Sequence, residues 1–233
     1  METFENINNF CCGGCSYTPH LGRKNRKLIP NKQTAFIIFS LPSKTTCPFA
    51  TNLCKRKCYV NFEERFFPNV LPARMENFEL SKSSAFVSIL SDRIRSIADR
   101  GRKEKCIVRI HEGGDFYNQA YTDKWLEIMN RLSDDKRILF VAYTKSFSYF
   151  DGISIPQNFS LRASLWADTT PEQLELVKRN SWPTYSAVDA FSDHDTFTQC
   201  RCDDCATCGL CWNNCPDIRC EIHSGRQGAR KKA

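Results

Sequence analysis

The sequence predicts an α/β fold, either a partial (β/α) barrel or an open, mainly parallel sheet, with a Cys-rich segment at its C-terminal end. Three observations point there. Short β-branched or aromatic runs recur along the chain, helical patterns with short connections stand between them, and seven cysteines crowd into residues 200–220. Strand, helix and strand repeated in this way favour parallel pairing through right-handed crossovers. About five such units are visible, fewer than the eight of a closed barrel.

The candidate strands are TAFIIFSLP (34–42), CIVRIHEGG (106–114), RILFVAYTKS (137–146), NFSLRASLWA (158–167) and TYSAVDAF (184–191). Each is a short apolar run suited to a buried or half-buried strand. Between the first two, residues 73–102 carry Phe86, Ile89, Leu90, Ile94 and Ile97 at helical spacing, with Gly101 where a helix stop belongs. Residues 118–136 repeat the pattern with Tyr121, Trp125, Ile128, Met129 and Leu132. The stretch TTPEQLELVKRN offers a Thr cap and a proline in the first turn.

A composition of 41% hydrophobic and 25% charged residues suits a globular chain with one main core. No run of eighteen apolar residues occurs, and the start METFENINNFCC has neither the basic region nor the apolar stretch of a secretory signal. A cytoplasmic protein with no membrane partner is expected. Fourteen cysteines in such a chain argue for metal binding over disulfides, because a reducing compartment keeps thiols free. The net charge of +7 is gathered in GRKNRK, KRK, DRGRKEK and the tail GRQGARKKA, which could attract nucleic acid or remain a solvated surface.

From Cys205 the spacing C-x2-C-x2-C-x3-C-P, carried by Cys205, Cys208, Cys211, Cys215 and Pro216, resembles the bacterial ferredoxin run and suits a 4Fe-4S cluster. Zinc is the alternative, although its ligands normally come as two separated pairs. A second group, Cys47, Cys54 and Cys58 at C-x6-C-x3-C, follows the first strand. Three thiols in one loop would hold a cluster and leave one iron open, or would join a fourth ligand in a closed structural site. The roles of Cys11, Cys12, Cys15, Cys200, Cys202 and Cys220 stay open; Cys106 opens an apolar strand and reads as a buried small hydrophobe. The expected organisation is a Cys-bearing head (1–32), an α/β domain (33–197) with its cluster loop at 47–58, a Cys-rich metal-binding segment (198–225) and a basic tail (226–233).

In parallel folds ligands lie beyond the C-terminal strand ends. The polar residues there are His111, Glu112 and Asp115; Tyr143, Thr144 and Lys145; Trp166 and Asp168; Asp189 and His194.

Two resemblances bear on function. A thiol loop after the first strand and a Gly-rich turn, HEGGDF, after the second resemble the radical S-adenosylmethionine enzymes, whose usual spacing C-x3-C-x2-C is here C-x6-C-x3-C. That likeness implies that S-adenosylmethionine meets a cluster on Cys47, Cys54 and Cys58. Gly113, Gly114 and His111 would then lie on the cofactor, and Glu112, Asp115 and Lys145 would be the catalytic polar groups. The closer resemblance covers most of the chain. CPFATNLCKRKCY, HEGGDF followed by YTDKW, AYTKS, and CATCGLCW with a downstream His223 are similar to the gene product eighty-eight family of phage and mobile-element proteins. It implies a metal-dependent accessory protein whose shared ligands are Cys47, Cys54, Cys58, Cys205, Cys208 and Cys211. Two functions follow as expectations: a radical S-adenosylmethionine-like redox enzyme served by a redox partner protein, and a nucleic-acid-binding or regulatory protein with structural or redox-sensing iron-sulfur or zinc sites. A purely structural zinc protein acting through partners is the third.

Overall fold

The computed structural model describes residues 18–25, 27–187, 197–200, 204–213 and 215–220. Its centre is one eight-stranded sheet: β1 (Leu21–Gly22), β2 (Thr34–Phe39), β3 (Lys105–Ile110), β4 (Ile138–Thr144), β5 (Phe159–Leu165), β6 (Thr184–Ala187), β7 (Thr198–Gln199) and β8 (Asp217–Cys220). The spatial order is β1-β2-β3-β4-β5-β6-β8-β7, and every pairing is parallel except β1 with β2. The sheet is therefore open, with β1 and β7 at its edges, and the barrel alternative is not realised among the described residues. Strands β2 to β6 nevertheless follow one another in chain order, which puts all their C-terminal ends on one rim.

Period-two alternation sorts the side chains. Ile37 and Phe39, Val108 and Ile110, Phe140 and Ala142, and Leu161 and Ala163 point to the helical layer. Phe36 and Ile38, Ile107 and Val141 point the other way and meet Leu28 and Trp212, with Cys205, Ala206 and Cys211 packed against them. The Cys-rich segment thus covers the face opposite the helices. The register Phe36↔Ile107↔Leu139 and Ile37↔Val108↔Phe140 keeps each row on one side, and a slip of one residue would exchange the two cores.

The helices are α1 (Asn52–Lys57), α2 (Val60–Phe66), α3 (Val70–Lys82), α4 (Phe86–Gly101), α5 (Gln119–Arg131), α6 (Pro171–Arg179) and α7 (Cys205–Cys208). The expected helical stretch 73–102 is two helices. Ser83 turns extended and its hydroxyl accepts the Ala85 N–H at 3.1 Å, a side-chain bond that competes with helix continuation. Helix α4 ends with Arg102 in the left-handed region at φ 46, one residue beyond Gly101. Helix α6 has the expected Thr170 cap, a full capping box with Gln173 and Pro171 in the first turn. The apolar rows of α4 and α5, including Phe86, Leu90, Ile94, Trp125, Ile128 and Met129, are buried against the sheet. Among the described residues no helix is long and apolar enough to cross a membrane. Cys11, Cys12, Cys15, Cys202, Asp189, His194, His223 and the basic tail lie outside the described residues.

Candidate functional site

The loop leaving β2 and the turn leaving β3 are laced together at the C-terminal rim. Leu41 N–H donates to Gly113 O at 2.9 Å and Asp115 N–H to Thr46 O at 3.0 Å. Gly114 adopts φ +85, and a Cβ there would stand 2.6 Å from both Leu41 Cβ and Thr46 Oγ1. A Cβ on Gly113 would come within 2.8 Å of Val60 in α2. Both glycines are thus needed so that two backbones and α2 can approach closely, and the atoms pressed on them belong to the protein.

That lacing brings Cys47, Cys54 and Cys58 beside Asp115, Lys145 and Asp168. Thr51 caps α1 by accepting the Cys54 N–H, and Asp168 accepts the Leu53 N–H at 2.7 Å, which fixes the thiol-bearing helix to the end of β5. Asp115 is buried. Its Oδ1 accepts Thr144 Oγ1–H at 2.5 Å and the Phe116 N–H at 2.8 Å, and its Oδ2 accepts the Lys145 N–H at 2.9 Å. Burial still pushes its carboxyl above the ordinary range. Lys145 Nζ donates to Ser164 Oγ at 2.7 Å and lies 5.5 Å from the Trp166 ring centroid. Burial, and then Asp115 and the two neighbouring thiols, push Cys47 up to about 12. Cys54 is raised by burial, with Lys145 opposing the rise. Burial works against the Asp168 charge, but hydrogen bonds from Thr51 and the Leu53 N–H outweigh it and hold that carboxyl low.

His111 and Glu112 leave this mouth in opposite directions. His111, at φ 62, is buried on the helical side, where Nε2 shares a hydrogen bond with Tyr121 OH at 2.8 Å and the ring packs on Phe116. Burial, then the Arg109 charge, lowers its pKa to about 3. Glu112 turns to the other face, accepting from Asn25 Nδ2 at 2.6 Å, while its carbonyl accepts from Tyr59 OH at 3.1 Å. Of the sequence-predicted groups, Asp115 and Lys145 share the mouth with the three thiols, and His111 and Glu112 flank it.

The Cys-rich segment is arranged differently from its spacing. Asp204 caps α7, and Gly209 in the left-handed region reverses the chain after Cys208. Cys205 and Cys211 thereby pack on the sheet, whereas Cys208 is exposed and Cys215 lies 4.0 Å from Asp217 O. Tyr143 from β4 is hydrogen-bonded to the Cys211 thiol. Tyr185 from β6 donates to Cys200 Sγ at 3.8 Å and is also hydrogen-bonded to Cys220. The two rings meet edge to face with centroids 4.6 Å apart, and the Arg109 guanidinium lies 3.8 Å from the Tyr143 centroid. Burial, then Cys211 and Cys200, push Cys205 up to about 11. The expected quartet Cys205, Cys208, Cys211 and Cys215 is therefore divided. Among the described residues no three His, Cys, Asp or Glu side chains meet closely enough to hold a metal ion.

Sequence reasoning missed Arg162. It is fully buried in β5 and donates to four carbonyls of the Cys-rich loop: Cys215 at 2.8 Å, Cys211 at 2.9 Å, Leu210 at 3.0 Å and Pro216 at 3.4 Å. Ser160 Oγ–H also donates to Cys211 O at 2.5 Å. The signal was a lone arginine at one phase of the apolar alternation FSLRASL, opposite the helical side.

The family model Gene product 88 matches residues 19–214. The Gene 88 protein of Mycobacterium phage D29 is 23% identical over 193 residues, which cover 72% of this chain and 78% of that protein. The Gene 88 protein of Mycobacterium phage L5 is 30% identical over 106 residues, 43% of each chain. These matches name no radical S-adenosylmethionine enzyme. No solved structure matches the chain.

Proposed function

The chain belongs to the Gene product 88 family, and we propose that it is a metal-dependent protein whose working centre is a 4Fe-4S cluster on Cys47, Cys54 and Cys58. The observation that carries this reading is the grouping of three thiols from one loop beside Asp115 and Lys145, on the rim where parallel folds bind ligands. The thiols fit the group by their chemistry, thiolates being the ligands an iron-sulfur cluster takes. A cuboidal cluster takes them at separate corners.

Such a group supplies one-electron chemistry, with one iron left open to a cosubstrate such as S-adenosylmethionine. The chain supplies the rest. Lys145 offsets thiolate charge, Asp115 is held by three donors facing the loop, and Gly113 and Gly114 let the β3 turn lie against the cluster loop. A redox partner protein would deliver the electron.

The test is anaerobic purification with iron, acid-labile sulfide and zinc analysis. Iron and sulfide in near-equal amounts, lost in Cys54→Ser, are expected; stoichiometric zinc without sulfide would overturn the cluster. S-adenosylmethionine added to the reduced protein should then change its electron paramagnetic resonance spectrum, and no change would remove that cosubstrate.

A second reading, binding of single-stranded nucleic acid, rests on the surface next to the same loop. Lys55, Arg56 and Lys57 are exposed at the end of α1, beside Phe62, Phe66 and Phe67, which are 40%, 59% and 53% exposed. The Phe62 and Phe66 centroids are 4.4 Å apart and Arg65 lies 5.8 Å from the Phe66 ring. Cations interleaved with exposed rings are the chemistry that holds phosphates and stacks bases. Salt-dependent binding of an oligonucleotide, weakened in Phe66→Ala without loss of metal, would establish it; unchanged binding in that variant would not.

A further inference from the structure

Seven cysteines stand in residues 200–220, and their contacts sort the described ones into two sets. Cys208 is exposed and Cys215 faces a carbonyl. Cys200, Cys205, Cys211 and Cys220 surround the paired rings of Tyr143 and Tyr185, against the apolar wall of Phe36, Ile107 and Val141. Four chain segments meet there. Cys200 N–H donates to Arg219 O at 2.7 Å, Cys205 N–H donates to Lys27 O at 3.1 Å, and Cys220 pairs with Ala187 across β6 and β8.

The charges around this pocket are the second observation. Arg162 is wholly buried and spends its donors on carbonyls, so those bonds leave its positive charge without a balancing anion. Arg109 lies over Tyr143 and within electrostatic range of Cys205 and Cys211, and Lys27 is within range of Cys205 and Cys220. A buried cation is costly unless an anion accompanies it. Four thiolates around a divalent ion leave about two negative charges in excess, which the buried Arg162 and the half-buried Arg109 would help to balance. The Tyr143 hydroxyl is placed to donate to Cys211, and the Tyr185 hydroxyl to Cys200 and Cys220.

We propose that Cys200, Cys205, Cys211 and Cys220 are the ligands of a second, closed metal centre, and that Cys208 and Cys215, although inside the ferredoxin-like run, are not. It is independent of the strand-end centre. Each thiol would reach the metal by turning about its single χ1 bond. With four protein ligands no position remains for substrate. The centre fastens the C-terminal strands to the sheet and, if it is a cluster, stores an electron.

The test is thiol mapping on the intact, metal-loaded chain. The protein is alkylated with iodoacetamide before and after chelation, and peptides are read by mass spectrometry. Cys200, Cys205, Cys211 and Cys220 should be protected by metal, with at least tenfold faster labelling after chelation, while Cys208 and Cys215 label alike in both states. Cys47, Cys54 and Cys58 are read in the same map, so failure of the strand-end centre is seen separately. Because chelation could unfold the chain, Cys208→Ser and Cys215→Ser are measured beside it and should keep the full metal content, whereas Cys220→Ser should lose one centre. Sulfide analysis separates iron-sulfur from zinc, and either identity upholds the ligand set. Metal-dependent protection of Cys208 or Cys215, loss of metal in either of their variants, or no metal-dependent protection among the four overturns it.

Discussion

The chain has two groups of thiols with opposite surroundings. At the strand-end mouth Cys47, Cys54 and Cys58 share space with two carboxylates and one ammonium, on loops held by backbone lacing. In the inner pocket Cys205 and Cys211 share space with guanidinium groups and tyrosine hydroxyls against an apolar sheet face, and their loop is gripped by a buried arginine. Mixed charge at a rim suits groups that must change state, whereas positive charge beside thiols on an apolar sheet face suits a group that must be held. Asn25 joins the two regions: its amide N–H donates to Glu112, its Oδ1 accepts Lys27 and Leu28 N–H groups, and Lys27 O receives the Cys205 N–H.

The largest blow to the comparison is expected at Arg162. Arg162→Met leaves the Leu210, Cys215 and Pro216 carbonyls without their donor, while Cys211 O keeps Ser160, and should cost about 3 kcal/mol or more. Denaturant melts should show the loss, and hydrogen exchange should rise first in residues 204–220 and later at the mouth. Equal exchange in both regions would mean that they are not separately anchored.

Next comes acid sensitivity beneath the mouth. His111 is buried and neutral, with a folded pKa near about 3 against an ordinary value of 6.5. The unfolded chain binds the extra proton first, so this contribution is complete above the unfolded pKa and falls as pH drops from about 6.5 towards 3. It should amount to roughly 3 kcal/mol lost by pH 4. His111→Asn, which tolerates the positive φ, should flatten stability against pH over that window; an unchanged profile would place the acid-sensitive group elsewhere.

Gly114→Ala should cost about 2–3 kcal/mol, from strain at φ +85 plus contact with Leu41 and Thr46. Gly152 also has positive φ, at +70, but has nothing within 4 Å of a Cβ, so Gly152→Ala should cost only about 1 kcal/mol. Comparing the two melting curves separates close approach from φ alone. The smallest effect is expected at Cys106, which is buried on the helical side, away from both thiol groups. Cys106→Ala should lose about 1 kcal/mol of packing and no metal, as thermal melts and metal analysis would show.

The periodic elements were legible from sequence because local pattern decides them. The row Tyr121, Trp125, Ile128, Met129 and the Thr170–Pro171–Gln173 cap appear as expected. What escaped was decided by distant contacts. Helices α1 and α2 are short and have one buried residue between them, Val60, so they lack an apolar row. Strand β8 inserts beside β6, a choice of partner that spacing does not encode. At the site, the Cys47–Cys54–Cys58 loop was visible as a motif. The sorting of the C-terminal thiols was not, because the reversal at Gly209 turns Cys208 outward while Arg162, 49 residues upstream, sets where Cys211 lies.

The order β6-β8-β7 has a consequence for synthesis. A chain emerging from the ribosome presents β7 before its hydrogen-bonding partner β8 exists, and the free edge of β6 waits until residue 220 is out. Until then an unpaired edge faces solvent, the kind of surface on which nascent chains pair with one another. Among the described strands, the last to arrive is thus the one that shields the edge of β6 and seats the strand made before it.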